Sequence, residues 1–119
     1  MIKKRRFSDT FKYDTRWGFK SEIDMFRHIW LERPHVSFVS GAPIQDDVRC
    51  FAHVLAKGLN KYPHFRFNPE NVVLLTPTEH YLWDQGCKCD RDEYPGDFQA
   101  LEDKAAKLKD DYAKLYPES

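Results

Sequence analysis

A chain of 119 residues, 15% aromatic and 32% charged, is sized for one domain that buries its aromatics in a single core and keeps a wet surface. No apolar run approaches the roughly 18 residues of a membrane span, and no apolar stretch follows the basic start Met1-Ile2-Lys3-Lys4-Arg5-Arg6, so no secretory signal is expected. The formal charge is zero, which argues against an all-over nucleic-acid footprint. It hides a gradient: residues 1–35 carry nine Lys/Arg against five Asp/Glu, residues 36–80 four of each, and residues 81–119 six against ten. A phosphate backbone would therefore meet the N-terminal part, unless the terminal charge is merely solvating.

Residues 1–20 form a basic, aromatic arm (Phe7, Phe11, Tyr13, Trp17, Phe19) without periodicity, expected to pack irregularly on the body. Ser21 and Asp24 resemble a capping pair for a first helix. Its apolar residues Ile23, Phe26, Ile29 and Trp30 recur at helical spacing until Arg33-Pro34. Val36, Phe38 and the turn Ser40-Gly41-Ala42-Pro43 predict a strand entering a hairpin, with Val48 to Val54 as the return strand. Gly58 to Pro69 reads as a loop of functional length, and Val72 to Leu75 as a short apolar run. Thr76-Pro77-Thr78-Glu79 is a capping box that starts a helix running through Trp83 to near Gly86. Gly86 to Gly96 is acidic and reads as irregular. Asp97 caps a last helix over residues 97–116, with Phe98, Leu101, Ala105, Leu108, Tyr112 and Leu115 as its stripe.

The chemistry-bearing residues gather in the middle. His53 ends a strand, and the capped helix that follows shows His80 and Asp84 on one face, because positions i and i+4 are neighbours. Asn71 lies between them, just before the apolar run. An imidazole on a strand facing an imidazole and a carboxylate on a helix could grip one divalent ion and activate water. Taken one by one, His80 and Asp84 also read as an exposed helical pair and Asn71 as a turn former. His28, His35 and His64 read as packing or surface residues, and Glu79 as the capping-box partner. The three cysteines Cys50, Cys87 and Cys89 do not suit a disulfide framework. Cys87 and Cys89 stand too close for a favourable mutual bridge, so free thiols in a reducing compartment are expected, with a metal-binding pair as the alternative.

The stretch Cys50-Phe51-Ala52-His53-Val54 through Asn71-Val72-Val73-Leu74-Leu75-Thr76-Pro77-Thr78-Glu79-His80 resembles the HNH endonucleases, also called ββα-metal or His-Me finger nucleases. There an Asp-His pair closes a strand, an Asn precedes a short apolar stretch, and a metal-binding His follows the Asn by nine positions, as His80 follows Asn71 here. Lys57-Gly58 and Pro63-His64-Phe65-Arg66-Phe67-Asn68-Pro69-Glu70-Asn71 are similar to phage recombination endonucleases of the NinG (Rap) type. The resemblance covers about 35 residues. It implies an α+β fold: a ββα-metal finger over 36–85 (β-hairpin, loop, short helix) packed with an N-terminal and a C-terminal helix in one domain, 1–119. It implies His53 as general base, Asn71 holding the His53 ring by a hydrogen bond, and His80 and Asp84 as ligands of one divalent ion of the Mg, Mn, Ni or Zn class. Lys57 and Arg66 would be phosphate contacts. Two departures stand out. Ala52 occupies the place of the usual Asp or His ligand, with Cys50 as a conceivable substitute. The family's zinc knuckle of paired CxxC motifs is missing, with no cysteine in Val36 to Gly41 and with Thr76 and Glu79 at the second pair's positions, so helix capping stands in for it.

The resemblance thus implies a metal-dependent phosphodiesterase acting on nucleic acid, DNA before RNA, in phage or mobile-element recombination, located in the bacterial or phage-infected host cytoplasm, with no membrane partner. A catalytically degenerate module on the same fold, binding nucleic acid or a protein, is the alternative. A structural protein whose working part is the C-terminal helix is a third. Oligomeric state is not legible, although the aromatic stripe of the first helix suits either a dimer or a core.

Overall fold

The computed structural model describes residues 16–58 and 61–117, so most of the expected N-terminal arm lies outside the described residues. Helix α1 spans Glu22–Glu32. The Ser21 hydroxyl caps it by accepting from the Asp24 N–H, and Arg33 closes it with its N–H on the Ile29 carbonyl. Two short antiparallel strands follow, β1 (Phe51–His53) and β2 (Val72–Leu74), in the register Phe51–Leu74, Ala52–Val73, His53–Val72. Helix α2 is Pro77–Asp84, α3 is Lys88–Glu93 and α4 is Phe98–Leu115. This is an α+β arrangement of helices around a two-stranded antiparallel hairpin.

The pairing differs from the expected one. Val36 to Phe38 forms no hairpin with Val48 to Val54. It folds back on itself instead, with a single bridge from Val36 to Pro43, an N–H bond from Ser37 to Ala42, and Gly41 at the turn with φ +75°. That φ is open to glycine at little cost. Residues 48–50 form a 3₁₀ turn capped by Asp47. The true partner of β1 is the apolar run after the long loop. Val72 to Leu75 carries no polar residue because both faces of the sheet are covered. Phe51, Val72 and Leu74 face Met25, Phe26 and Ile29 of α1, while Ala52, Val54, Val73 and Leu75 face Phe98, Leu101, Leu108 and Tyr112 of α4.

Three further expectations change in detail. Ile23 is exposed on α1 and Met25 takes its place in the core. The acidic stretch after Gly86 contains α3, with Cys87 as its N-cap. In α4 the stripe is buried as far as Tyr112, and Leu115 is largely exposed. The Asp97 cap holds, its carboxylate accepting from the Ala100 N–H at 3.0 Å.

One buried carboxylate ties these pieces together. Glu79 is fully buried. Its Oε1 accepts from the Ser37 hydroxyl at 2.5 Å and the Thr76 N–H at 2.9 Å, and its Oε2 from the Ser40 hydroxyl at 2.5 Å and the Tyr94 hydroxyl at 2.8 Å. Ser37 Oγ in turn accepts from the N–H groups of Val39 and Ser40. Glu79 is therefore more than the capping-box partner: Ser37, Ser40, Thr76 and Glu79, two pairs each spaced three apart, meet at one point. Burial by itself would raise the Glu79 pKa, but the donors from Ser37, Ser40, Thr76 and Tyr94 outweigh it and hold the carboxyl below its ordinary range.

Glu79→Ala strands those donors in the interior and should cost about 3 kcal/mol or more in urea unfolding. Glu79→Gln, which keeps the shape and one acceptor, should cost less. Because the folded pKa is depressed, this contribution is present above the ordinary Glu pKa of about 4.3 and lost as pH falls through the folded value. The gap between wild type and Glu79→Ala should narrow in acid.

Candidate active site

His53 ends β1 on the face that looks at α1, its ring tilted against Phe26 with centroids 6.2 Å apart. The side chain is 10% exposed. Nε2 lies 2.9 Å from the Arg66 carbonyl oxygen. A carbonyl only accepts, so Nε2 carries the proton and Nδ1 keeps its lone pair in the neutral ring. Burial lowers the His53 pKa. The Arg66 carbonyl and Glu22 oppose that shift, while Lys57 and the Arg66 charge add to it.

The loop that supplies this carbonyl is built by Asn71, which is fully buried. Its Oδ1 accepts from the Leu55 N–H at 2.8 Å, and its Nδ2 donates to the Leu55 carbonyl at 3.1 Å and the Phe65 carbonyl at 3.3 Å. The expected bond from Asn71 to the His53 ring is not made, because the amide is spent on backbone. Asn71 acts on His53 at one remove, by fixing both ends of the loop that carries Arg66. Arg33 braces the same corner, donating to the carbonyls of Val72 and Pro69.

Across the cleft, α2 is moored to β1 by two side chains. The Trp83 indole N–H donates to the Val54 carbonyl at 3.1 Å, and His80 Nδ1 lies 2.7 Å from the Arg49 carbonyl. Nδ1 of His80 is thus the protonated nitrogen, and Nε2 faces Asp84 Oδ2 at 3.0 Å. The hydrogen bond to Asp84 raises the His80 pKa; burial opposes it and the Arg49 carbonyl adds to it. The pair was expected from its i, i+4 spacing, and the structure places it on the rim, with the His80 side chain 26% and Asp84 46% exposed.

His53, His80, Asp84, Lys57 and Glu22 all line one open cleft of about 660 Å³. The two histidines differ there: neutral His53 keeps its proton on Nε2, whereas His80 has an acceptor at each nitrogen, is held toward imidazolium by Asp84, and exposes an Nε2 lone pair only once it is neutral. When His80 is neutral, its Nε2 lone pair and the Asp84 carboxylate are two adjacent acceptors facing solvent. Cis ligands of an octahedral ion, each about 2.1 Å from it, stand about 3.0 Å apart, so the pair would need little movement to take an ion in exchange for its hydrogen bond. This donor set fits an ion that completes its sphere with water or phosphate oxygens. It does not fit a closed structural zinc site.

Around the cleft Glu22 is an addition, and the expectations at Ala52 and Cys50 are revised. Lys57 and Arg66 both bond the Glu22 carboxylate, Arg66 Nε at 3.0 Å from Oε2. Glu22 was not foreseen, since an acid in a first helical turn reads as a macrodipole partner and nothing local ties it to residues 35 and 44 positions on. Ala52 faces the α4 side of the core, not the cleft. Cys50 is buried in the other cluster, where burial raises its thiol pKa, so it substitutes for no ligand.

Cys87 and Cys89 are paired as a disulfide, against the expectation of free thiols; their Cα atoms are 5.4 Å apart, within the usual span of a bridge. With Asp90 they are the one group among the described residues whose three ligand atoms lie within 4.8 Å of one another. That group could hold a metal ion, but its sulfurs are at disulfide distance, and it lines no part of the cleft. Among the described residues no helix is long and apolar enough to cross a membrane. No family model, curated protein or solved structure matches the chain.

Asp84→Asn removes the charge that favours imidazolium at His80. Its pKa should fall toward or below the ordinary value of about 6.5, read by NMR titration of the ring, with His53 unmoved. Asn71→Ala should cost about 2 kcal/mol in urea unfolding through the buried Leu55 and Phe65 groups it leaves unpaired. It should also raise the His53 pKa as the loop loosens and water enters.

Proposed function

We propose that this protein is a metal-dependent phosphodiesterase that hydrolyses nucleic acid, DNA before RNA, with His53 as general base. The observation that carries the reading is the tautomer of His53. Its Nε2–H is committed to the Arg66 carbonyl, which leaves Nδ1 unprotonated, and the ring lines the cleft shared with His80 and Asp84. A base needs a lone pair, a fixed orientation and a pKa low enough to be neutral near pH 7; burial supplies the last.

Water held near Nδ1 loses its proton to His53 as it attacks phosphorus. The Arg66 carbonyl then stabilises the resulting imidazolium through the Nε2–H. His80 Nε2 and Asp84 Oδ2 are the residues that would hold a divalent ion of the Mg, Mn, Ni or Zn class. Such an ion, when bound, supplies positive charge for the phosphate and its leaving oxygen. Lys57, at the cleft wall, and Arg66, which shares the Glu22 carboxylate with it, are suited to the phosphate flanking the scissile one. The resemblance to HNH endonucleases leads to the same roles for His53, His80 and Asp84.

A second reading, a non-catalytic module binding nucleic acid or protein through this fold, is favoured by one observation. Position 52 lies in the core, and among the described residues no third His, Cys, Asp or Glu ligand atom groups within 4.8 Å of both His80 and Asp84.

Nicking of supercoiled plasmid with Mg²⁺, Mn²⁺, Ni²⁺ or Zn²⁺ separates the two. The nuclease reading expects metal-dependent cleavage that falls about 10²- to 10⁴-fold in His53→Ala and is lost in His80→Ala. Folded protein that cuts no supercoiled, branched or single-stranded DNA with any of these ions leaves the binding module.

A further inference from the structure

Lys57 on the cleft wall and Arg66 behind Glu22 are arranged as an occupied anion site. Lys57 Nζ and Arg66 Nε converge on one oxygen, Glu22 Oε2, and His53 Nε2 lies 3.8 Å from that same atom. The Glu22 side chain is 19% exposed, Lys57 43% and Arg66 32%, so all three reach solvent.

Glu22 is also free to leave. It is the first residue of α1, directly after the Ser21 cap, where a side chain can swing outward without breaking an intrahelical bond. Its carboxyl is raised by burial but lowered further by the Lys57 and Arg66 hydrogen bonds, so it is ionised at neutral pH.

We propose that Glu22 is an internal stand-in for substrate: its carboxylate sits where a phosphodiester oxygen of a nucleic-acid strand binds between Lys57 and Arg66, and the strand must displace it. An anionic oxygen held by two cations beside the general base is the environment that a phosphate of the substrate requires. Glu22 thus keeps the cations paired until a strand arrives, and binding exchanges one anion for another at the cost of Glu22's contacts. This deepens the site reading above and rests on it for where the strand lies, yet its test needs no turnover.

The test is fluorescence anisotropy of labelled DNA in EDTA across a potassium chloride series, with wild type, Glu22→Gln, Glu22→Asp and the double variant Glu22→Gln/Lys57→Ala. Glu22→Gln should bind more tightly by roughly fivefold or more at low salt, with a log–log salt slope steeper by about 1 as the cations become available to phosphate. Glu22→Asp, too short to reach both cations, should gain in the same direction, which covers the case of a Gln variant that folds poorly. The double variant should lose the gain. Binding no tighter in either single variant, or a gain that survives without Lys57, overturns the proposal and makes Glu22 a structural tether of α1 to the loop. Tighter binding without cleavage by any metal leaves the phosphate site standing and removes the nuclease. Cleavage with unchanged Glu22→Gln binding removes this proposal alone.

Discussion

The cleft exists because one buried amide closes a long loop. β1 and β2 are only three residues each, and the chain between them must leave and return without a regular hairpin turn. Asn71 solves this by acting as an extra rung of the sheet, bonding both the N–H and the carbonyl of Leu55 while reaching the Phe65 carbonyl. With those ends fixed, the neighbouring Arg66 carbonyl has one position, and the His53 ring has one tautomer. Backbone geometry, not a side-chain partner, sets the protonation of the candidate base. The same loop aims the Arg66 side chain at Glu22, which lines the cleft, so a carboxylate-binding group and the candidate base's orienting group belong to one residue.

The second wall of the cleft depends on a different kind of constraint. A short helix such as α2 is marginal alone and needs tertiary anchors. It has the Thr76 capping box at its start, the Glu79 carboxylate gathering Ser37, Ser40 and Tyr94 beneath it, and His80 and Trp83 bonded to backbone on either side of β1. Ser37–Ser40 and Thr76–Glu79 repeat the spacing of a paired-cysteine knuckle. Here hydrogen bonds to one charge perform the cross-linking, which makes the junction sensitive to acid where a thiolate–metal knuckle would be sensitive to chelators. His80 bonds backbone through Nδ1, a contact that turns its Nε2 outward to Asp84.

Much of the helical framework was legible because its signals are local. Ser21, Thr76 and Asp97 announce helix starts by side chains that bond N–H groups within three residues, and the α4 stripe from Phe98 to Tyr112 repeats at helical spacing. His80 and Asp84 were legible as a pair from their i, i+4 spacing, and the resemblance in spacing from Asn71 to His80 strengthened their grouping with His53. Strand pairing was not. Val36, Phe38, Phe51 and Val72 all begin short apolar runs, and nothing local says that β1 skips the first and pairs with the last across the loop. Glu22 and Asn71 were misread or unread for the same reason: their partners lie 13 or more residues away or are backbone atoms, which leave no mark on composition. The Ala52 position was read as a vacancy in the site. The alternation of the strand sends it to the α4 core instead, while Phe51 and His53 share the cleft face.

The central claim is that two histidines on one cleft divide the labour by opposite tautomers. Long-range nitrogen–proton NMR of the histidine rings above pH 7, before and after addition of Zn²⁺, tests it directly. The account predicts that His53 carries its proton on Nε2 with Nδ1 bare, that neutral His80 carries its proton on Nδ1, and that the metal shifts His80 Nε2 while His53 keeps its pattern. A proton on His53 Nδ1, or metal shifts confined to the Cys87–Asp90 segment with His80 untouched, would contradict it.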